Sequence, residues 1–477
     1  MLFALCKNKI VLFYYFMQNL HNSKIVRIFA PFFRKTMTYK HLYISLLAVF
    51  CLAWLSAKAD EVQLTNLPTV YITTVTGEEP YDKEHELRSC VVIIDGNKRL
   101  ADSALVRLRG NASKDFPKKP YHIRFDYKHN VLGSPASAKR WTLINNYGDK
   151  TLMRNLLAFD LSRRLDMPYT PFGTPVDVVV NGDYKGCYQL CDQIQVHPGR
   201  VEVDEDGFLI EADAYAYSED LWFYSDNWTP VSIHYPKSET LTWAQQNTIE
   251  QIFNDLEQDS HPNLDRETFL RHFLVGEISG NTDTYWSTYF YKRSDNDLVY
   301  TGPVWDFDLA YENDNRTYPI CSHTDYVYTF GSYAGDMQNF VNTIVKTSAG
   351  KQQLEALYAQ YRNNGRLSAE ALISVVDSLE TLLQASAKKN FQRWPILNKK
   401  VHQNPRAGGT YAKEVRWVRE YITDRMAWMD MKLNYTPQGI EQITNDKSQR
   451  TNKTLLNGQV VIRRGDALYT VLGERIK

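Results

Sequence analysis

Residues 106–125 read VRLRGNASKDFPKKPYHIRF, and this stretch decides the fold of the N-terminal part of the chain. Its first segment, VRLR at 106–109, and its last segment, YHIRF at 121–125, both alternate apolar with polar side chains. A repeat of two is the pattern of a β-strand with one buried face. The loop between them, residues 110–119, is polar and basic. We therefore predict two strands joined by a cationic loop.

Around this pair, the sequence predicts strands first and helices later. Such an order is typical of an α+β protein with separate layers, not of a chain in which strands and helices alternate. Asp149 and Asp265 are suited to cap two of the helices, and Asn181-Gly182 is a strong hairpin signal. The predicted elements are strands within 60–135, a helix at 150–165, a hairpin at 176–194, helices at 240–257 and 265–278, strands at 287–293 and 298–310, helices within 335–432, and short strands at 453–477.

The N-terminal sequence predicts export. Residues 41–56 read HLYISLLAVFCLAWLS, and this apolar run follows Lys40 and precedes AKA at 57–59. A basic residue, an apolar core and an A-x-A site form a secretory signal peptide, and the run is shorter than the roughly 20 residues of a membrane span. We expect residues 1–59 to comprise a misassigned extension and a signal peptide at 37–59. The mature protein is then secreted, periplasmic or at the cell surface, without a membrane span; an uncleaved anchor is the alternative.

Composition and charge argue against several classes of protein. The chain is 43% hydrophobic and 23% charged, as is usual for a globular domain. Residues 1–59 hold eight Lys or Arg residues and no Asp or Glu, so the mature part is acidic and a poor candidate for binding nucleic acid. The motifs G-x-S-x-G, H-E-x-x-H and G-x-G-x-x-G do not occur, which leaves hydrolase and dehydrogenase functions little support.

The most specific candidate site is GPVWDFD at residues 302–308. If this segment is a strand, Asp306 and Asp308 lie on the same face. Two neighbouring carboxylates repel each other unless a cation lies between them, and oxygen ligands suit Mg²⁺ or Mn²⁺. The alternative is a pair of solvated or salt-bridged acids at the end of a strand, because D-x-D is common by chance.

A second candidate is EISGNTD at residues 277–283, which closes an apolar helix. Gly280 fits the end of such a helix. Asp283 is then a candidate to accept a proton from an attacking hydroxyl group, as the catalytic-loop aspartate of a kinase does. The alternative is a helix-terminal turn in which Asn281 and Asp283 bond the local backbone.

The basic loop is a third candidate. It runs from Arg109 to Lys114 and is followed by Lys118 and Lys119. A turn that carries several cations is able to hold phosphate groups, although the loop lacks the spacing of a Walker P-loop. The alternative is an ordinary exposed basic hairpin.

Taken together, these segments resemble the CotH family of spore-coat kinases. The resemblance covers roughly residues 85–432, and the matching segments occur in the order of the family. They lie at 106–125, 141–165, 179–194, 208–213, 273–292, 302–311 and 414–429. The tail at 453–477 resembles a short C-terminal β tail found on secreted proteins of Bacteroidota; the alternative is a final β-hairpin packed on the main domain.

This resemblance implies a fold and an activity. The implied fold is that of an atypical protein kinase with two lobes in residues 60–435, β-rich at 60–235 and helical at 236–435. A linker and the β tail follow at 436–477. The implied activity is transfer of the γ-phosphate of ATP, with Mg²⁺ or Mn²⁺, to a Ser or Thr of a protein substrate.

The resemblance also implies roles for single residues. Asp283 is the catalytic base, and Asp306, supported by Asp308, binds the metal. A kinase catalytic loop has a metal-binding Asn five residues after its Asp; that place holds Thr288 here, so Asn281 is the candidate substitute. Asp192 stands where the family commonly has Glu. The residues carried over as contacts to ATP or its phosphates are Arg109, Lys118, Lys119, Arg154 and Asp192.

Two other functions stay open on the sequence. A non-catalytic surface, coat or adhesion protein is one, since Thr288 departs from the kinase pattern and ATP is scarce outside the cell. A metal-dependent glycosyltransferase that uses D-x-D is the other. Nucleotide binding separates the three functions. Binding of ATP favours the kinase, and binding of nucleotide sugars in preference to ATP favours the glycosyltransferase. Undetectable ATP binding favours the non-catalytic protein.

Overall fold

The structure is a computed structural model that describes residues 61–319 and 325–436, and the backbone of the strands between 452 and 476. The predicted extension and signal peptide at 1–59 lie outside the described residues. Among the helices of the described ranges, none is both long and apolar enough to cross a membrane.

Seven strands of the N-terminal part form a closed barrel in the order β1-β2-β3-β4-β5-β7-β6. Neighbouring strands are antiparallel except at the seam, where β1 pairs with β6 in parallel and Val70 lies opposite Val178. The strands are β1 (Thr69–Thr74), β2 (Leu87–Asp95), β3 (Lys98–Leu108), β4 (Tyr121–His129), β5 (Ala138–Ile144), β6 (Gly173–Val180) and β7 (Asp183–Asp192).

The alternating segments VRLR and YHIRF build the centre of the barrel. VRLR begins within β3 and YHIRF opens β4, and the two strands pair with Val106 opposite Ile123. Both side chains are fully buried, together with Trp141 of β5. The two predicted strands are therefore confirmed, because their alternate apolar residues point into the barrel.

The hairpin between β6 and β7 is also confirmed. Asn181 and Gly182 have φ angles of 50° and 85°. Two successive residues with positive φ form the turn whose twist matches that of paired strands, and Asn-Gly is the pair that adopts it with least strain.

A second sheet has the strand order β12-β11-β8-β10-β9. Two strands of this sheet, β11 and β12, follow two helices in the sequence. The mainly helical C-terminal part therefore also contributes strands to this sheet. The strands are β8 (Phe208–Asp213), β9 (Trp222–Tyr224), β10 (Pro230–Tyr235), β11 (Ser287–Lys292) and β12 (Val299–Thr301).

The strand predicted at 298–310 is wrong beyond Thr301. Gly302 has a φ angle of 119° and Asp306 one of 62°, and neither value belongs to a strand. Pro303 has no N–H group to donate to a neighbouring strand. The acidic motif therefore lies on a loop that leaves the sheet.

The described residues contain seven helices, and the predicted helical regions are confirmed. The first helix begins later than predicted, because Leu152 has a φ angle of 61° and cannot be part of a helix. Asp265 caps the third as predicted, since its side chain accepts a bond from the Thr268 N–H. The helices are α1 (Arg154–Arg164), α2 (Trp243–Leu256), α3 (Arg266–Ser279), α4 (Met337–Val345), α5 (Ser348–Asn363), α6 (Ala369–Arg393) and α7 (Tyr411–Lys432).

Helix α3 lies at the centre of the larger hydrophobic core. Almost every residue from Thr268 to Ser279 is buried, including Phe273 and Ile278. A helix that is apolar and buried on all sides belongs to the interior of a fold, so the loop at its C-terminal end starts from a rigid support.

The tail forms four short antiparallel strands, which confirms the prediction of strands there. They are β13 (Asn452–Leu456), β14 (Gln459–Arg464), β15 (Ala467–Thr470) and β16 (Arg475–Ile476). Residues 437–451, the main part of the predicted linker, lie outside the described residues.

Candidate active site

The loop with Asp283 starts where α3 ends. Gly280 has a left-handed φ of 66°, and the Asn281 N–H donates to the Gly276 carbonyl at 2.9 Å. A Cβ atom on Gly280 would overlap the hydroxyl group of Tyr421 on α7. Glycine is therefore required here by both the backbone angle and the packing.

Replacement of Gly280 by alanine is expected to destabilise the protein by about 2–5 kcal/mol, from left-handed backbone strain and overpacking together. Gly182→Ala is the matched control, since Gly182 also has positive φ, but a Cβ atom there would meet no other atom within 4 Å. It should lose only about 1–2 kcal/mol. Denaturant unfolding measures the free energy of unfolding of both variants. An equal loss in Gly280→Ala and Gly182→Ala would contradict a clash with Tyr421.

Asp306 and Asp308 meet because the loop turns, not because they share a strand face. Asp306 takes a left-handed conformation, and the following Phe307 N–H donates to the Asn155 side chain at 2.7 Å. The two carboxyl groups are close enough for Asp306 to raise the pKa of Asp308. The predicted strand face is therefore wrong, and Asn155 on α1 fixes the turn that carries the two residues.

The surroundings of this pair favour a cation. Removal of water and repulsion from Asp306, Asp149 and Asp283 raise the pKa of Asp308 well above its usual value. Desolvation raises the pKa of Asp306 too, and the Arg109 guanidinium opposes this rise. Asp306 is nevertheless exposed and Asp308 is half-buried, so the pair lies in a cleft that is open to solvent. Two such carboxyl groups share either a proton or a metal ion.

Asn281 supplies an oxygen atom beside the pair. Its Nδ2 donates to the Asp306 carbonyl at 3.3 Å, while its Oδ1 is buried without a hydrogen-bond partner among the described residues. No group of three or more His, Cys, Asp or Glu side chains in those residues forms a metal cage. The donors fit a Mg²⁺-type ion that takes one or two carboxylates and completes its shell with phosphates and water.

Asp283 reaches the same cleft from the end of α3. Asn281, two residues before Asp283, donates to the Asp306 carbonyl at 3.3 Å, so the loop of Asp283 contacts the acidic motif, and the Asp283 carboxylate contributes to the raised pKa of Asp306 and Asp308. Arg316 Nη2 lies 2.9 Å and 3.0 Å from the two oxygens of Asp283. Sequence reasoning missed Arg316, because no motif or spacing marks it.

Arg109 belongs to the site, whereas two predicted lysines are engaged elsewhere. The Arg109 guanidinium lies 5.7 Å from the centre of the Trp305 ring and attracts Asp306. Lys118 Nζ is buried and donates to the Cys187 carbonyl and to Asn390 Oδ1, at 2.5 Å and 2.8 Å. Burial lowers the pKa of Lys118 to about 7. Lys119 Nζ donates to the Lys114 carbonyl at 2.8 Å. Their contacts to phosphate stay predictions.

The other two predicted residues, Arg154 and Asp192, form ion pairs within the protein. Arg154 is buried, pairs with Asp149, and its Nε donates to the Ala310 carbonyl at 2.9 Å, just after the acidic motif. Asp192 accepts bonds from Arg200 Nε at 2.8 Å and from the Phe172 N–H at 3.0 Å. Arg154 therefore lies at the base of the site, whereas Asp192 is part of an ion pair at the end of β7. Their contacts to the nucleotide stay predictions.

The chain is similar to proteins of one known family. A family model described as CotH kinase protein matches residues 106–429. A solved structure described as "Crystal structure of the golgi casein kinase" is similar over 78% of this chain and 75% of that chain, with 10% identity and a TM-score of 0.21, which is too weak a likeness to carry an argument. No curated protein matches. Since the family model covers more than half of the sequence, the chain belongs to the CotH kinase family.

Proposed function

We propose that this chain is an exported kinase that transfers the γ-phosphate of ATP to a Ser or Thr of a protein, with a divalent cation. Family membership supports a kinase-like activity and a protein substrate. The observation that carries the finer proposal is the contact between the loop of Asp283 and the acidic motif, where Asn281 Nδ2 donates to the Asp306 carbonyl at 3.3 Å. Phosphoryl transfer needs positioning and charge neutralisation more than covalent chemistry, and this cleft offers both.

The residues divide the work by their chemistry. Asp306 and Asp308 would hold the cation, with Asn281 Oδ1 beside them, and a bound cation would supply positive charge against the phosphates. Arg109 presents a guanidinium group next to Asp306, where it is able to contact a phosphate oxygen. Asp283 does not take part in the carboxyl pair and lies partly open to solvent. It therefore receives the proton of the acceptor hydroxyl group.

The export signal and the two-lobed arrangement are part of the same proposal. In this proposal, the barrel at the N-terminal side and the helices around α3 are the two lobes of a kinase-like fold. Cleavage after Ala59 leaves a mature chain that starts at Asp60 and acts outside the cytoplasm. N-terminal sequencing of the protein recovered from the culture medium, the periplasm and the cell surface tests both the cleavage site and the location.

Replacement of Asp283 by asparagine is expected to lower phosphate transfer by about 10²- to 10⁴-fold, the usual contribution of a general base. ATP binding should be retained, since the cation ligands remain. The assay uses γ-labelled ATP with Mg²⁺ or Mn²⁺ and the protein from Asp60 onward, and calorimetry measures binding. Asp126→Asn, which alters an exposed ion-pair partner of Arg88, is the control. Normal transfer by the Asp283 variant would sink its assignment as base.

A non-catalytic surface protein is the second candidate, and one observation favours it. Thr288 is buried, and its hydroxyl group donates to the Thr284 carbonyl at 2.9 Å. The place of the kinase metal-binding Asn is therefore filled by a side chain that bonds its own backbone. Absence of both ATP binding and label transfer in the wild-type protein would decide for this candidate.

A further inference from the structure

Arg316 is fixed in place by an acid two residues before it. Asp314 is almost fully buried and accepts bonds from the Arg316 N–H at 2.9 Å and from Nε at 2.9 Å and 3.0 Å. Because these bonds are local, the guanidinium group has a set direction before it meets any other part of the chain. Nη2 also donates one N–H to Asp314 Oδ2 at 2.5 Å, and the remaining N–H donors lie in the same plane as these bonds.

Those remaining donors reach two distant segments. Nη2 contacts both oxygens of Asp283, at 2.9 Å and 3.0 Å, and Nη1 donates to Ser332 Oγ at 3.2 Å. Arg316 therefore links the loop after α3 to the segment before α4. The side chains of Arg316 and Asp283 are 33% and 27% exposed, so both groups border the cleft.

The segments that carry Asp283 and Arg316 run side by side. The hydroxyl groups of Thr282 and Thr317 lie 3.3 Å apart, and the Ser332 N–H donates to the Thr282 carbonyl at 3.4 Å. The same turn is tied to the acidic motif, because Asn313 Nδ2 donates to the Asp308 carbonyl at 2.8 Å. One loop thus joins the carboxylate pair to the side chain that holds Asp283.

Asp283 needs such a contact. Its loop contacts the acidic motif, since Asn281 Nδ2 donates to the Asp306 carbonyl at 3.3 Å, and before a cation binds, the carboxylates of Asp306 and Asp308 repel that of Asp283. A side chain with two free torsions would turn outward, and a misplacement of about 1 Å costs a reaction on the order of 10²-fold.

We propose that Arg316 is a positioning residue, which holds the Asp283 carboxylate at the angle from which it receives the proton of the acceptor. This rests on the proposed function of Asp283 as base. Arg316 acts through Asp283, so its loss should slow the transfer step without weakening the binding of ATP, because Arg316 does not contact the proposed cation ligands Asp306 and Asp308.

The test compares Arg316→Met, Arg316→Lys and Arg366→Met in the full mature protein. Arg366 is the matched control, because its guanidinium makes two 2.7 Å bonds to Asp166 away from the cleft. We expect kcat of Arg316→Met to fall on the order of 10²-fold with KM for ATP nearly unchanged. Tm should also fall in this variant, because the buried Asp314 loses the side chain that pairs with it. Arg316→Lys should recover part of kcat, since an ammonium group is able to hold one oxygen. Arg366→Met should match the wild type.

The possible outcomes separate the two proposals. Unchanged or increased kcat in Arg316→Met, while Asp283→Asn is inactive, overturns the positioning role and leaves the proposed function intact; an increase would make the ion pair inhibitory. A fall of kcat with a rise of KM for ATP, and without any recovery of kcat in Arg316→Lys, marks a structural role only and also overturns it. A wild-type protein without transfer activity removes both proposals at once.

Discussion

Asp306→Asn is expected to lower metal-dependent phosphate transfer by about 10³-fold or more. The same substitution should also remove metal-dependent ATP binding. The variant loses one charge of the carboxylate pair at the point where the cation neutralises the phosphates, and such electrostatic contributions are the largest in a preorganised site. Asparagine is preferable to alanine because it tolerates the left-handed φ of 62° at this position. Label transfer and calorimetry of ATP with Mg²⁺ or Mn²⁺ measure the two effects.

Asp166→Asn is the control for this variant. Asp166 also has a left-handed φ, of 52°, and pairs with Arg366 on the surface. The chemical change and the backbone conformation are the same, but the residue lies away from the cleft. An exposed ion pair contributes about 0–1 kcal/mol to stability, so activity should stay normal. Asp306→Asn with turnover within about tenfold of the wild type would exclude a metal-binding role for Asp306.

Arg425→Leu is expected to destabilise the protein by about 3–5 kcal/mol, the usual cost of leaving a buried charge without its partner. Arg425 Nη2 lies 2.9 Å from Glu277 Oε2, and neither side chain has any exposed surface. The Arg425 Nε also donates to the Glu277 carbonyl at 2.8 Å. These bonds join α7 to the end of α3, directly before the loop of Asp283.

The loss should depend on pH. Burial raises the pKa of Glu277 to about 7, from an ordinary value of 4.5, so the folded protein keeps a proton on Glu277 up to a higher pH than the unfolded chain does. Stability from this group is present below pH 4.5 and is lost as the pH rises through 7. Without Arg425, the charged form of Glu277 loses its ion-pair partner. The variant should therefore lose more stability at a pH of about 8, where Glu277 is charged, than at a pH of about 5.

Denaturant unfolding at these two pH values measures the effect. Arg88→Leu is the control, because Arg88 pairs with Asp126 on the surface and should cost no more than about 1 kcal/mol. An equal and small loss in both variants would show that the buried pair contributes little. Glu277→Gln combined with Arg425→Leu should lose less than Arg425→Leu alone, since no buried charge remains, although the Val327 N–H keeps only a neutral acceptor.

The sequence predicts best what depends on near neighbours. Alternation in VRLR and YHIRF and the Asn-Gly pair are local signals, and the barrel strands follow from them. The same reasoning predicts that Asp306 and Asp308 share the face of a strand, but the two residues lie on a loop. Gly302 and Pro303 end the strand, and the contact with Asn155 sets the turn. Local pattern does not reveal a bond across 152 residues.

The cationic groups show the same limit more strongly. A lysine in a basic loop is expected to be exposed, yet Lys118 finds its partner Asn390 on a helix 272 residues later. Arg316 carries no pattern, and its contact with Asp283 spans 33 residues. The sequence identifies a side chain as cationic. Which anionic or polar group that side chain contacts depends on how the folded chain packs.

The parallel seam of the barrel constrains the order in which the chain folds. Strands β2 to β5 pair with neighbours in the sequence and are able to form as they leave the ribosome. Strand β1 ends at Thr74, but its second neighbour β6 begins only at Gly173, so the ring stays open until β6 and β7 have been synthesised. Until then, β1 exposes one edge of unpaired backbone groups, which is the kind of surface on which strands of other chains associate. Nascent chains halted before β6 are therefore the most vulnerable to aggregation.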